Sequence, residues 1–203
     1  MHDMITVEVS DARVRYSVIE SVIRKSSKFF DNAMKPEWAD SRPDPRVVDL
    51  SDEDVEIFEV YLHWLYFKTL PTVCMDDIGR SSEYLLLAEC YIMGEKIMDT
   101  GFKNAVLEAL VDKERSPPFY GSRLPSKGAI CIIYEGTREG SPARRLLVDM
   151  WAASAGEKCA QHIDEFLPHS FVLELSRALL VNVYKAPKDK RSWSQCVKDY
   201  FEE

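Results

Sequence analysis

Few residues in this chain stand at spacings that chemistry requires, and each candidate also has a plainer role. Cys159 and His162 are three apart, as two zinc ligands can be. A structural zinc site takes four ligands, however, and no second pair stands at a matching interval. Gly136–Ser141 (GTREGS) has the small residues of a phosphate loop without its Gly-Lys-Ser/Thr ending, so it reads as a turn into a helix capped by Ser141. His63 lies between Leu62 and Trp64 on a helical pattern and reads as a packed or partly exposed helix residue. The acidic run from Asp49 to Glu59 could draw a basic partner, but acids are also favoured in the solvated first turn of a helix. No nucleophile has an adjacent base, and no carboxylates pair in a recognisable cleft motif. The expectation is a non-enzymatic chain with no catalytic residues, no metal and no cofactor.

Composition points the same way. The chain has 203 residues, 46% of them hydrophobic, enough for a core that needs no staples. With 26 Lys plus Arg against 34 Asp plus Glu, its formal charge is −8, and no segment is basic enough to follow a phosphate backbone. Direct nucleic-acid binding is not expected. Lys185, Lys188, Lys190 and Arg191 form the densest basic stretch, which reads as a solvated linker before it reads as a nuclear-import signal. The start, His2-Asp3-Met4-Ile5-Thr6, is not that of a signal peptide, and no window approaches the roughly eighteen apolar residues of a membrane span. Cys74, Cys90, Cys131, Cys159 and Cys196 are odd in number and widely spaced, and are expected to stay reduced. An intracellular location follows as an expectation, in cytoplasm or nucleus.

The elements that would position any site are plainer. Ile5–Val9 and Val14–Val18 alternate apolar and polar residues around a Ser10–Arg13 turn, predicting a β-hairpin. Ser21 to Met34 turns helical with a break at Ser26-Ser27, predicting two short helices. Lys35 to Pro45 should be an exposed loop carrying Trp38, and Arg46–Leu50 a third strand. Ser51 is the expected N-cap of a helix whose buried stripe is Val55, Phe58, Tyr61, Leu62 and Leu65 and which Pro71 stops. Helices are then predicted over 82–98 and 102–111. Residues near 115–126 are rich in breakers and mark a linker. Lys127 to Tyr134 is ambiguous between strand and helix, with helix preferred. Ser141-Pro142 opens a helix buried through Leu146, Leu147, Met150 and Trp151, and 169–183 forms the last, buried through Phe171, Leu173, Leu175, Leu179 and Leu180.

In that order of elements the chain resembles the BTB/POZ family. Ser27-Lys28-Phe29-Phe30-Asp31-Asn32-Ala33-Met34 is similar to the family's Ser-Pro-Phe-Phe-type helix, and Val55–Leu70 to the acidic-led helix of fungal members. Tyr134–Thr137 followed by Gly140–Leu147 looks like the helical extension those proteins carry. Where the family usually has a His-Lys pair after the second strand, this chain has Ile19-Glu20. The resemblance implies an α+β fold, a small sheet flanked by helices over residues 1–115, then a linker at 116–126 and an all-helical extension over 127–203.

It also implies work by binding. Family members that recruit a cullin scaffold carry, after the helix pair, a hydrophobic residue, any residue and an acid; Trp38-Ala39-Asp40 matches. An exposed Trp can fill a partner's pocket while the acid orients and steers the encounter. The alternative is that Trp38 packs on its own domain. The leading expectation is an adaptor for a cullin-type ubiquitin ligase, with a client held by a surface the sequence does not identify. The second is a self-assembling structural or regulatory protein that meets another BTB chain without cullin. The chain starts almost at its first core strand, so the swapped dimer of many family members is not expected.

Overall fold

The computed structural model describes residues 3–72, 79–115, 124–154, 162–184 and 197–202. The fold is α+β, a small mixed sheet with helices around it and a helical remainder. The chain divides into two compact units, Met1–Pro71 with Met93–Ala105, and Thr72–Ile92 with Val106–Glu203.

The first unit is built on β1 (Met4–Val9), β2 (Val14–Ile19) and β3 (Val47–Leu50), in the order β2-β1-β3. The central strand pairs antiparallel with β2, from Met4 opposite Ile19 to Val9 opposite Val14, and parallel with β3, from Thr6 opposite Val47 to Val9 opposite Leu50. Ile5, Val7 and Val9 are fully buried, as alternation requires of a strand with one face on the core. The hairpin turn puts Ser10 and Arg13 at positive φ, and Arg13 N–H donates to the Ser10 carbonyl at 2.9 Å. Glu8 points away from the apolar side yet is buried. Arg13 (2.7 Å) and Arg15 (2.7 Å) hold its carboxylate, and their hydrogen bonds keep it below the usual glutamate range.

The predicted break at Ser26-Ser27 separates α1 (Glu20–Ser26) from α2 (Lys28–Ala33). Its cause is Ser27, extended at φ −110°, whose Oγ accepts from Phe30 N–H at 3.2 Å and donates to the Ile97 carbonyl at 2.5 Å. After the strand β3 the helix α4 (Val55–Phe67) begins later than expected. Asp54, not Ser51, is its N-cap, accepting from Glu56 N–H at 2.7 Å, while Ser51 N–H is taken by the Asp49 carboxylate at 2.8 Å. It also ends earlier, at Lys68 in the left-handed region (φ 57°), before Pro71 is reached.

The buried face of α4 is wider than the predicted stripe. Ile57, Val60 and Trp64 are buried with Phe58, Tyr61 and Leu65, whereas Val55 and Leu62 are only half-buried. Tyr61 and Trp64 meet Phe102 at ring-centroid distances of 5.0 and 5.3 Å. Gly101 must be small here, because a Cβ would meet the Trp64 ring at 3.2 Å.

Two long helices, α5 (Gly79–Lys96) and α6 (Thr100–Arg115), run through both units, since the division falls inside each of them. Asp99 between them is buried and caps α6, accepting from Phe102 N–H at 2.9 Å, Ser26 Oγ at 2.6 Å and Tyr61 OH at 3.1 Å.

In the second unit the ambiguous segment is helical: α7 spans Lys127–Gly136, capped by Ser126, whose Oγ accepts from Ala129 N–H at 3.3 Å. Helix α8 (Pro142–Ala153) starts as predicted with Ser141 as cap and Pro142 in its first turn, and Leu146, Leu147, Met150 and Trp151 are all buried. The last long helix, α9 (His169–Tyr184), sets Phe171 edge-on to Tyr134 and Trp151, each at 5.6 Å. Lys113 and Glu83 form a buried ion pair. Residues 116–123 of the expected linker, Cys74, Cys159 and Cys196, and the basic stretch from Lys185 to Arg191 lie outside the described residues. Among the described residues no helix is long and apolar enough to cross a membrane.

Candidate functional site

Trp38 does not sit in a plain loop. Pro36 opens a one-turn helix, α3 (Pro36–Ala39), because its fixed φ and missing N–H suit the first helical position. Lys35 O accepts from Trp38 N–H (3.0 Å) and Ala39 N–H (2.8 Å), and Pro36 O from Asp40 N–H (3.0 Å). Ser41 Oγ donates to the Trp38 carbonyl at 2.8 Å, and Arg42 Nη2 to the Pro45 carbonyl at 2.7 Å. Ala39 is the buried foot of this turn.

With Ala39 facing inward, its two neighbours face out. Trp38 is 64% exposed, and Asp40, the C-cap, is exposed beside it. The other two described tryptophans behave differently: Trp64 is stacked on Tyr61 under the Lys68 ammonium (3.8 Å), and Trp151 is buried against Phe171. An aromatic that could have filled a core is instead held outward on an ordered turn. Glu37 and Asp44 are also exposed, so acids surround the ring. Such an arrangement can insert a rigid apolar anchor into a pocket with a basic rim.

The remaining sequence candidates fall apart spatially or lack description. His162 is exposed, and its proposed zinc partner Cys159 lies outside the described residues. Among the described residues no group of three or more His, Cys, Asp or Glu side chains could hold a metal ion. His63 bonds Thr69 Oγ1 at 3.0 Å and stacks on Phe67 at 4.8 Å. The Gly136–Ser141 turn delivers the α8 cap and is clamped by buried Arg144, which donates to the Tyr134 carbonyl at 2.6 Å, to Thr137 Oγ1 at 2.9 Å and to the Thr137 carbonyl. Cys90 is buried and Cys131 half-buried, and burial pushes the Cys131 thiol up, away from reactivity.

The sequence reading missed one feature of the second unit. Leu173 and Leu180, expected inside, face solvent on α9, and a cleft of about 350 Å³ is walled by Glu139, Arg145, Val148, Asp149, Glu174 and Arg177. A scan against protein-family models finds no match, and a search of curated proteins finds none.

Proposed function

We propose that this chain is a non-enzymatic protein-interaction module of BTB/POZ type that works inside the cell, in cytoplasm or nucleus, as an adaptor for a cullin-type ubiquitin ligase. Trp38 and Asp40 are its scaffold-binding residues. The observation that carries this reading is the outward Trp38 on α3, with buried Ala39 fixing its direction and Asp40 exposed beside it. The order of hairpin, helix pair, short turn, strand and long helix supports it as the frame in which that tripeptide has meaning. A buried Trp anchor contributes about 2 kcal/mol or more to binding, and the neighbouring acid adds orientation and on-rate.

A second reading, homo-oligomerisation without cullin, is favoured by one observation. Strand β2 is an edge, and its Val14, Arg15 and Ser17 are exposed, as an edge that accepts another strand would be. Light scattering on the chain eluting from a sizing column, alone and mixed with a cullin N-terminal domain, separates the two. A stable complex abolished by Trp38→Ala supports the adaptor; a concentration-dependent oligomer indifferent to cullin and to Trp38→Ala overturns it.

A further inference from the structure

The outer face of α9 is an unusual surface for this chain. Its exposed residues are His169, Ser170, Leu173, Ser176, Arg177, Leu180 and Val181. Not one is acidic, although the chain carries eight more acids than bases. Leu173, Leu180 and Val181 are 43%, 60% and 51% exposed. At 100° per residue, Leu173, Arg177 and Leu180 fall within about 60° of one another, a single ridge.

The cations of this region are unanswered. Among the described residues neither Arg177 nor Arg145, which share the α8–α9 cleft, has a carboxylate oxygen within 4.0 Å. The cleft does hold carboxylates, but two are occupied: Glu174 accepts the Tyr134 hydroxyl at 2.6 Å, and Asp149 accepts that of Tyr200. Glu139 is the third, and it stands on the turn before α8.

We propose that this ridge, with Arg145 beside it, docks an acidic amphipathic helix of a partner protein. Aliphatic side chains at i, i+7 and i+8, with a guanidinium at i+4 and another at the flank, match the helix-in-groove mode, in which a partner lays an apolar stripe along the ridge and its carboxylates reach the arginines. The ridge from His169 to Val181 is about 18 Å long, so about twelve partner residues cover it. The inference deepens the adaptor reading by naming the client surface, and rests on that reading for its biological sense.

The test uses the full chain and two labelled synthetic helical peptides of about fifteen residues. Both carry leucines at i, i+3, i+4 and i+7; one is flanked by glutamates, the other by lysines. By fluorescence anisotropy the glutamate peptide binds, more weakly as salt rises, and the lysine peptide does not. Arg177→Glu and Leu180→Ser each weaken binding about tenfold or more, Arg177→Lys retains most of it, and Arg177→Glu now accepts the lysine peptide. These positions are exposed, so far-UV circular dichroism stays unchanged. Trp38→Ala leaves peptide binding intact, so loss of cullin binding with the peptide still bound counts against the adaptor reading and not against this surface. Equal binding of both peptides, or of neither, overturns the proposal. So does binding to phosphatidylserine vesicles in place of the peptide, or a dimer that Leu180→Ser disperses.

Discussion

The turn at α3 and the outer face of α9 both expose apolar side chains, but they differ in how they are held and in the charge around them. Trp38 is one large ring on a single helical turn fixed by backbone hydrogen bonds and Ser41, among Glu37, Asp40 and Asp44. The α9 ridge is three aliphatic side chains along a sixteen-residue helix, with Arg177 among them and no acid. An acid-rimmed anchor selects a basic pocket, and a cationic ridge selects an acidic helix, so one partner is not expected to satisfy both. A chain with two such surfaces is suited to bridging two proteins of opposite charge. Local order differs as well: a short turn can lose its geometry through one capping change, whereas a long helix is held by the buried face opposite its ridge.

The comparison breaks first if one unit is removed from under its surface. Asp99→Ala should destabilise the first unit by about 4 kcal/mol, since it strips a buried cap and leaves Ser26 Oγ, Tyr61 OH and Phe102 N–H without their acceptor. Glu83→Ala should cost the second unit about 3 kcal/mol, because it leaves the Lys113 ammonium buried and unpaired. Urea melts followed by hydrogen exchange at the amides of α4 and α8 would show which unit each change loosens. If both changes loosen both helices equally, the two surfaces depend on one cooperative fold and the contrast in how they are held disappears.

Smaller changes sharpen the contrast. Trp38→Ala should shift stability by no more than about 0.5 kcal/mol, because an exposed ring contributes little to the core. A thermal midpoint that falls by several degrees would instead put Trp38 in the fold, as Trp64 and Trp151 are. Ser41→Ala should act in the same direction on scaffold binding, more weakly, by loosening the turn that aims the ring.

How legible each surface was in the sequence follows from the same physics. The hairpin, the Ser27 break and the Ser141-Pro142 start are local signals, each carried by a residue whose side chain or φ decides the backbone there, and the structure has all three. The α4 start was misplaced because Asp49, Ser51 and Asp54 can all accept backbone N–H groups, and the turn out of β3 decides which one caps the helix. The buried width of α4 was underestimated because a narrow stripe was fitted to a helix covered on a broader face, with Ile57, Val60 and Trp64 inside. On α9 the error was opposite. Leucine-rich patterning placed Leu173 and Leu180 inside, but apolar type alone does not say which side of a helix finds a neighbour. The readable signal there was negative, an absence of acids on one face of an acidic chain. Trp38 and Asp40 were legible as a pair, while the one-turn helix that aims them was read as loop despite Pro36.

The smallest expected effect concerns acid. Glu8, Glu20, Asp49 and Asp52 in the first unit all sit below their ordinary carboxylate range. The main causes are hydrogen bonds from Arg13 to Glu8, from Arg24 to Glu20, from Ser51 to Asp49 and from Lys96 to Asp52. In the second unit the described residues show this only for Asp164, held down by Lys127. A carboxylate whose folded pKa is depressed adds stability that is fully present above its unfolded value, 4.5 for Glu and 3.8 for Asp, and that is lost as pH falls through the folded value. Acid below about pH 4.5 should therefore loosen the first unit more than the second, by a modest amount because these pairs are largely exposed and screened. Amide exchange measured from pH 6 downward should show protection in β1 falling before protection in α8. Glu8→Gln should flatten that difference at neutral pH, where the charged pair with Arg13 and Arg15 is otherwise intact. If α8 loses protection first, the helical unit is the acid-sensitive one, and the α9 ridge would be the surface that low pH dismantles.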